Sequence, residues 1–193
     1  MKSRTRGSLR WLLRYLLEQP RKHGMPGHPA LWVGSCLPDL VGARQLSGLS
    51  LCIRQALPDY CDASALQLVN LPGASIPAAD RDALLEAGCH RLKLAAAAAL
   101  GVDPALKGNR PAALMARRAL AQLATRVGIR RREIATILDQ PLRSIWRLGQ
   151  PEVDQSVLTT VARRISLENL VHSVRAGSRG PHPPLHEESP RRR

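Results

Sequence analysis

The predicted architecture rests on Val127-Gly-Ile-Arg-Arg-Arg-Glu-Ile-Ala-Thr-Ile-Leu-Asp-Gln-Pro-Leu-Arg-Ser-Ile-Trp-Arg-Leu148. Its first half places Ile134, Ile137 and Leu138 at the i, i+3, i+4 spacing that gives a short helix one apolar face. Asp139-Gln-Pro then interrupts the pattern, because proline lacks a main-chain donor and favours the first turn of a new helix. An apolar face resumes on a second short helix, at Leu142, Ile145, Trp146 and Leu148. The pattern predicts a helix-turn-helix unit, whose second helix lies in the major groove of DNA.

Positive charge is concentrated around this unit. Residues 107–148 carry ten Lys and Arg against two acids, a formal charge of +8, which suits a phosphate backbone. Six basic side chains are expected to contact phosphates: Lys107, Arg117, Arg118, Arg130, Arg131 and Arg132. Four residues of the second helix are expected to face the bases: Leu142, Arg143, Ser144 and Arg147. Arg143 is the candidate for two hydrogen bonds to a guanine edge, whereas Trp146 is expected to pack in the core beside Ile145.

Length and composition favour the same class of protein. The chain has 193 residues, a net charge of +14, 3% aromatic residues and no Phe. Its core must consist of Leu, Val, Ile and Ala, which favours an all-α fold. The charge favours a polyanionic partner, with DNA ahead of an anionic membrane surface. A solvated basic face without a role in DNA binding is the alternative, since Arg-rich sequence also follows from a GC-rich genome.

Cysteine usage and hydropathy predict a cytoplasmic protein, and DNA binding would place it on the nucleoid. The four cysteines are scattered without a C-x-x-C pair, so unpaired thiols are expected rather than a zinc site. No apolar run approaches the ~20 residues that span a bilayer, so no transmembrane segment is expected. The apolar stretch near the N-terminus is interrupted by Arg10 and Arg14, which argues against a signal peptide.

The sequence divides into an N-terminal helix, an irregular middle and a helical C-terminal half. Residues 30–73 are rich in Pro, Gly and Ser, and 61–77 is assigned as a linker. A small helical bundle is expected over 78–174, with Asp80 capping its first helix and Gly88 weakening it. The stretch 175–193 has the composition of a disordered basic tail.

The N-terminal helix is predicted over Ser8 to Gln19, with Ser8 as its N-cap and with Pro20 and Gly24 ending it. Tyr15 and Gln19 are four residues apart, so they lie one turn above each other on the same face. Spacing alone leaves two interpretations open. The pair acts together chemically, or Tyr15 is a border residue of an amphipathic helix and Gln19 a polar residue near its end.

Two stretches together resemble REP-associated tyrosine transposases of the single-tyrosine HUH class. Arg14-Tyr-Leu-Leu-Glu-Gln-Pro-Arg-Lys-His-Gly24 resembles the end of their catalytic domain, where a helix carries the nucleophilic tyrosine. The resemblance implies that Tyr15 occupies the position of this catalytic tyrosine. It implies that Gln19 occupies the position of the amide that supports the metal site. Residues 1–60 are accordingly assigned as a remnant of that catalytic domain.

The second stretch, residues 94–148, resembles the accessory DNA-binding domain attached to many of those transposases. That domain is similar to the C-terminal domain of the replication initiator DnaA and to Trp-repressor-like modules. The shared pattern is an Ala-rich helix, Leu-Gly-Val-Asp-Pro, a basic turn, an Ala/Arg helix, Arg-Glu-Ile-Ala-x-x-Leu and a recognition helix. Asp139 replaces the usual glycine of the turn, and Asp tolerates the left-handed conformation better than most residues.

The sequence departs from the family's pattern at the metal site. That site uses a His-hydrophobic-His pair before the tyrosine helix, and no His-x-His occurs in the chain. We therefore expect no metal in this chain, although the intact family uses a divalent ion, and no DNA cleavage by the chain alone. The leading hypothesis is a DNA-binding, truncated transposase. The alternatives are a complete transposase subunit that works with a separate HUH-containing chain, and a membrane-surface or partner-binding protein that uses the helix of residues 8–19. Besides DNA, the partners considered are a second copy of this chain, in a homodimer, or an HUH-containing transposase chain.

Overall fold

A computed structural model describes residues 2–25, 27–45 and 62–177, and of residues 2–6, 9 and 10 the main chain alone. Every regular element in these residues is helical, which confirms the all-α class. The elements in chain order are α1 Lys2–Lys22, a 3-10 turn Pro29–Leu31, α2 Leu37–Leu40, α3 Asp62–Leu68, α4 Arg81–Ala99, α5 Pro111–Val127, α6 Arg131–Leu138, α7 Leu142–Gly149 and α8 Gln155–Gly177. Residues 46–60 of the expected remnant, residue 61 of the expected linker and 178–193 of the expected tail lie outside the described residues.

Helices α4 to α8 enclose the larger of the two apolar clusters in the described part. Its largest fully buried side chains are Leu92, Leu120, Ile134, Leu158, Val161 and Ile165. Helix α4 packs against both α5 and α8, and four of its five consecutive alanines, at 95–97 and 99, are buried in those contacts. Alanine lets neighbouring helices approach closely, so a core with few aromatic residues still packs without large gaps.

The ends of these helices follow the local signals in the sequence. The Asp80 carboxylate accepts a hydrogen bond of 2.9 Å from the Ala83 N–H, which confirms Asp80 as the N-cap of α4. Gly88 has φ 67° and ψ 172°, so α4 is kinked at the residue expected to weaken it. Pro111 occupies the first position of α5, and Gly128 ends that helix in the left-handed conformation, at φ 95°.

The smaller apolar cluster joins the N-terminal half of the chain to α8. Its larger side chains are Leu13, Leu17, Leu37, Leu40, Val41, Leu66, Val69, Leu71, Ile76, Leu167 and Val171. The stretch 61–77, assigned as a linker, supplies α3 and four of these buried side chains. Helix α8 connects the two clusters, because Val161 and Ile165 lie in the larger one while Leu167 and Val171 lie in the smaller one.

Helix α1 is longer than the expected span of Ser8 to Gln19. It begins at Lys2 and continues through Pro20 to Lys22, so the expectation that proline ends it is wrong. Proline removes only one main-chain donor, and here it lies within the last turn, where that loss interrupts a single hydrogen bond. The helix ends at Lys22, and Gly24, the other residue expected to end it, follows with φ 60° and lets the Met25 N–H bond to the Pro20 carbonyl at 2.9 Å.

A buried ion pair organises the irregular segment after α1. The Arg44 guanidinium pairs with the Asp39 carboxylate through two hydrogen bonds, one of them 2.7 Å from Nε to Oδ1. Its remaining donors reach the Val33 carbonyl at 2.8 Å and the Ser35 carbonyl at 2.7 Å. A single side chain therefore holds residues 33–44 in a fixed loop that packs on the smaller cluster.

The two cysteines in the described part are unpaired. Cys36 is half-buried and Cys89 is buried in the larger cluster. Burial, together with the nearby Glu133 carboxylate, raises the pKa of the Cys89 thiol to about 11. A thiol with such a pKa stays protonated at neutral pH, so Cys89 acts as a small apolar core residue rather than as a nucleophile or metal ligand. Cys52 and Cys61 lie outside the described residues.

Candidate nucleic-acid interface

Helices α6 and α7 form a compact pair joined by the three residues 139–141. Ile134 and Leu138 of α6 are buried against α4 and α5, which fixes the orientation of α6 in the bundle. The turn begins at Asp139, whose φ and ψ are both 51°, the left-handed conformation that most residues avoid. The Gln140 N–H bonds back to the Ala135 carbonyl at 3.0 Å and closes the end of α6. The sequence-based expectation that Asp139 preserves the turn is confirmed.

Helix α7 separates its apolar and basic residues onto two faces. Ile145 and Leu148 are buried in the larger cluster, and Ser144 is half-buried beside them. The opposite side carries the four exposed residues Leu142, Arg143, Trp146 and Arg147. These four follow the i, i+1, i+4, i+5 spacing of one helical face. Arg143 and Arg147 therefore lie one turn apart on a surface that no described element covers.

The expectation that Trp146 packs in the core is wrong. The sequence suggested a core residue beside Ile145, yet 55% of Trp146 is exposed. Consecutive residues on a helix lie about 100° apart, so burial of Ile145 turns Trp146 away from the core. The indole ring instead forms part of the face that α7 presents to solvent.

Three arginines extend the basic surface at the start of α6. Arg130, Arg131 and Arg132 are all exposed, with Arg130 at the N-cap and the other two in the first turn. A groove of about 460 Å³ brings Arg131 together with Arg126 of α5 and Trp146 of α7. Arg126 was not among the sequence-based candidates. Its position in the last turn of α5, only five residues before Arg131, is the signal that could have identified it.

Five guanidinium groups on this helix pair are free within the described part of the chain. They belong to Arg130, Arg131, Arg132, Arg143 and Arg147, and none forms a hydrogen bond or an ion pair there. Other arginines close to this helix pair are less available to phosphate, because they already donate hydrogen bonds within the protein. Arg126, for example, donates to the Gln155 side chain at 3.3 Å. An exposed cation without an internal partner can contact phosphate without first breaking a protein contact.

The expectation for Arg117 is also wrong. It was expected to be exposed and to contact phosphate, but only 8% of it is accessible to solvent. Helix α5 contacts α4, α6, α7 and α8, so its buried face is wider than the stripe that apolar spacing predicts. Arg117 lies on the edge of that stripe and donates from Nη2 to the Gly108 carbonyl at 2.8 Å. Its role in the structure is to hold the loop before α5.

Arg118 and Lys107 lie away from the groove. Arg118 is half-buried and its Nε is buried without a hydrogen-bond partner. Lys107 is exposed in the loop that Arg117 holds through Gly108. Arg117, which holds this loop, and Arg126, which lines the groove, are nine residues apart on α5. This separation corresponds to about 14 Å along the helix axis. Of the six expected phosphate contacts, the structure places three together on α6 and leaves Lys107 at a separate exposed position.

The Tyr15 ring lies on the surface of α1, with the Trp11 ring on one side and a Lys22 ammonium on another. The two ring centroids are 5.5 Å apart in a stacked arrangement, and Lys22 Nζ lies 4.9 Å from the Tyr15 centroid. Gln19 lies one turn further on, as expected. Its amide donates to the Tyr15 main-chain carbonyl at 3.3 Å, and its carbonyl oxygen lies 3.0 Å from His23 Nε2. Gln19 therefore contacts the main chain and His23 rather than the Tyr15 hydroxyl.

The groups around Tyr15 do not fit a catalytic metal. Glu18 is held by Arg14 at 2.9 Å and by Lys22 at 3.7 Å, and the hydrogen bond from Arg14 lowers the pKa of its carboxyl group. No group of three His, Cys, Asp or Glu side chains in residues 2–25, 27–45 and 62–177 is arranged to hold a metal ion. A neighbouring cavity of about 800 Å³ is lined by Trp11, Arg14 and His28 among others, but Tyr15 does not line it.

Comparisons with known proteins give no relatives. No known protein family, curated protein or solved structure matches this chain. None of the described helices is both long enough and apolar enough to cross a membrane.

Proposed function

We propose that this chain binds double-stranded DNA through α6 and α7, which act as a helix-turn-helix with α7 as the recognition helix. The observation that carries the proposal is the set of five exposed arginines on one helix pair that have no partner among the described residues. The phosphates of every DNA sequence attract such groups equally, whereas base edges in the major groove distinguish one sequence from another. The three arginines of α6 supply the first kind of contact, and the exposed face of α7 supplies the second.

The resemblance of residues 94–148 to the accessory domain of tyrosine transposases supports the same proposal. It adds that the chain is related to a transposase, with DNA as its partner. The proposed activity is binding without strand cleavage by this chain alone. The reason is chemical: a tyrosine nucleophile needs a metal to polarise the scissile phosphate, and the chain has no His-x-His pair to hold one.

Arg143 provides the test of α7 as the recognition helix. Arg143→Ala should cost about 1–3 kcal/mol of binding free energy on the preferred site and much less on random duplexes, because a guanine edge is sequence-specific. Arg132→Ala is the matched control, since loss of a phosphate contact should weaken all duplexes alike. A site selected from a random library and then titrated with both variants measures the difference. Equal losses from Arg143→Ala on preferred and random DNA would reassign Arg143 to the backbone.

Cleavage is tested separately with a single-stranded DNA hairpin and Mg²⁺ or Mn²⁺. We expect no nicked product from the wild-type chain and no difference between it and Tyr15→Phe. The physical reason is that the described residues around Tyr15 offer no donor set that would position an ion against a phosphate. Product that forms with wild type and disappears in Tyr15→Phe would show that the chain cleaves DNA unaided.

One observation favours a second candidate function. The outer face of α1 exposes Trp11, Leu12 and Leu16 next to the basic residues Arg14 and Arg21. An uncovered face of this kind binds a partner protein, such as an HUH-containing chain, or an anionic membrane surface. Co-sedimentation with anionic liposomes that Leu12→Glu abolishes, without any shift of duplex DNA by wild type, would favour the membrane form of this candidate over DNA binding.

A further inference from the structure

Two large apolar side chains on α7 have no partner in the described structure. Leu142 is 48% exposed and Trp146 is 55% exposed, although Ile145 and Leu148 on the same helix are buried. The two residues are four positions apart and lie one turn above each other on one face. They alternate there with Arg143 and Arg147, so the apolar groups lie within the most basic surface of the helix.

We infer that Leu142 and Trp146 contact thymine methyl groups in the major groove and so select thymines in the bound site. The inference rests on the proposed function, because it requires α7 to lie in that groove. Leu142 has no donor to offer a phosphate. The apolar group that the major groove does present is the C5-methyl of thymine. Trp146 shares the face of Leu142, so a helix that brings one side chain to the bases brings the other as well.

Charge complementarity supports DNA as the occupant of this face. Arg143 and Arg147 are exposed beside the two apolar residues, and Arg131 lines the groove that Trp146 borders. Glu152 is the one acidic residue among those that line this groove in the described part of the chain. A second apolar protein surface would have to cover these cations without neutralising them, which is costly. Duplex DNA neutralises the cations and offers methyl groups in the same contact.

Helix geometry specifies the spacing of the selected thymines. Four residues of helix rise about 6 Å, and base pairs along B-DNA are about 3.4 Å apart. Leu142 and Trp146 should therefore reach methyl groups about two base pairs apart, with the Arg143 contact beside or between them.

Deoxyuridine substitution tests the inference because it removes the methyl group and keeps the base pair. Each thymine of the selected site is replaced in turn, and the Kd of the full-length chain is measured by fluorescence anisotropy. We expect about fourfold weaker binding at two positions, the equivalent of one buried CH₂ group each. The effect at one position should disappear in Leu142→Ala and the effect at the other in Trp146→Ala.

Leu85→Ala is the matched control, because Leu85 is also 48% exposed but lies on α4. It should respond to deoxyuridine as wild type does, and circular dichroism should show all variants equally folded. Three outcomes overturn the inference while duplex binding is retained: a selected site without thymine, equal binding of thymine and uracil DNA, or a Trp146→Ala loss that is the same on all sequences. Absence of binding to any duplex would overturn the proposed function itself.

Discussion

Changing Arg130, Arg131 and Arg132 together to alanine is expected to weaken binding to every duplex and to flatten its salt dependence. Each phosphate contact releases about 0.9 counterion, so three lost contacts should reduce the slope of log Kd against log salt by about 2.7. At 0.1 M salt this corresponds to roughly 500-fold weaker binding, since the electrostatic contribution vanishes near 1 M. The effect should be large because all three side chains are exposed and have no partner in the part of the chain that the structure describes, and so are already accessible to phosphate.

A second triple variant separates phosphate contact from net charge. Arg21, Arg81 and Arg175 are exposed and lie on other helices, α1, α4 and α8. Replacing them with alanine removes the same three charges, but we expect a much smaller change in slope, because charges away from the contact surface act only through a screened long-range field. Equal slopes for the two triple variants would show that α6 does not contact the phosphates.

The second large effect concerns stability rather than binding. Removing the buried Asp39 leaves the half-buried Arg44 guanidinium without its counter-charge, and Asp39→Ala should destabilise the fold by about 3–5 kcal/mol. For a chain of this length each kcal/mol lowers Tm by about 2–4 °C, so a drop of roughly 6–20 °C is expected. The loop of residues 33–44 should be affected first, because the Val33 and Ser35 carbonyls are held by the same guanidinium.

Thermal unfolding followed by circular dichroism measures this prediction, with Arg14→Ala as the control. Arg14 pairs with Glu18 at 2.9 Å on the surface of α1, where an ion pair contributes only about 0–1 kcal/mol. We expect Arg14→Ala to shift Tm by a few degrees at most. An Asp39→Ala shift no larger than that of the control would mean that the buried pair does not hold the loop.

Local sequence signals specified much of the fold. The Asp80 cap, the kink at Gly88 and the turn at Asp139 are all determined within a few residues, and each is found as expected. Such features depend on main-chain geometry and on one or two side-chain hydrogen bonds. They can therefore be predicted without knowing how distant segments pack.

Long-range packing determines the burial of residues that local sequence patterns place on the surface. The stretch 61–77 resembles a linker in composition, yet Leu66 and Leu71 are buried in the smaller cluster, to which α1, α2 and the end of α8 also contribute. Nothing within that stretch indicates those partners. Arg117 is buried for a similar reason, since α5 contacts four other helices and buries more than its apolar stripe.

The candidate interface also combines features that local sequence predicts with a feature that only long-range packing determines. Exposure of the three arginines of α6, and of Arg143 and Arg147 on α7, follows from helical spacing. The position of Trp146 does not, because two adjacent apolar residues on a short helix offer two alternative buried faces. Contact with the rest of the bundle selects Ile145 and leaves the tryptophan outside.

Binding of the wild-type chain to random duplex DNA at a series of salt concentrations tests the central claim most directly. If Arg130, Arg131 and Arg132 contact phosphates, log Kd should rise linearly with log salt, with a slope of about 2.7 from these three contacts. Affinity should accordingly be highest at 50 mM salt and fall by about 40-fold at 200 mM, at roughly 0.9 counterion per contact. No binding to duplex DNA at 50 mM salt, or binding that does not depend on salt, would contradict the account.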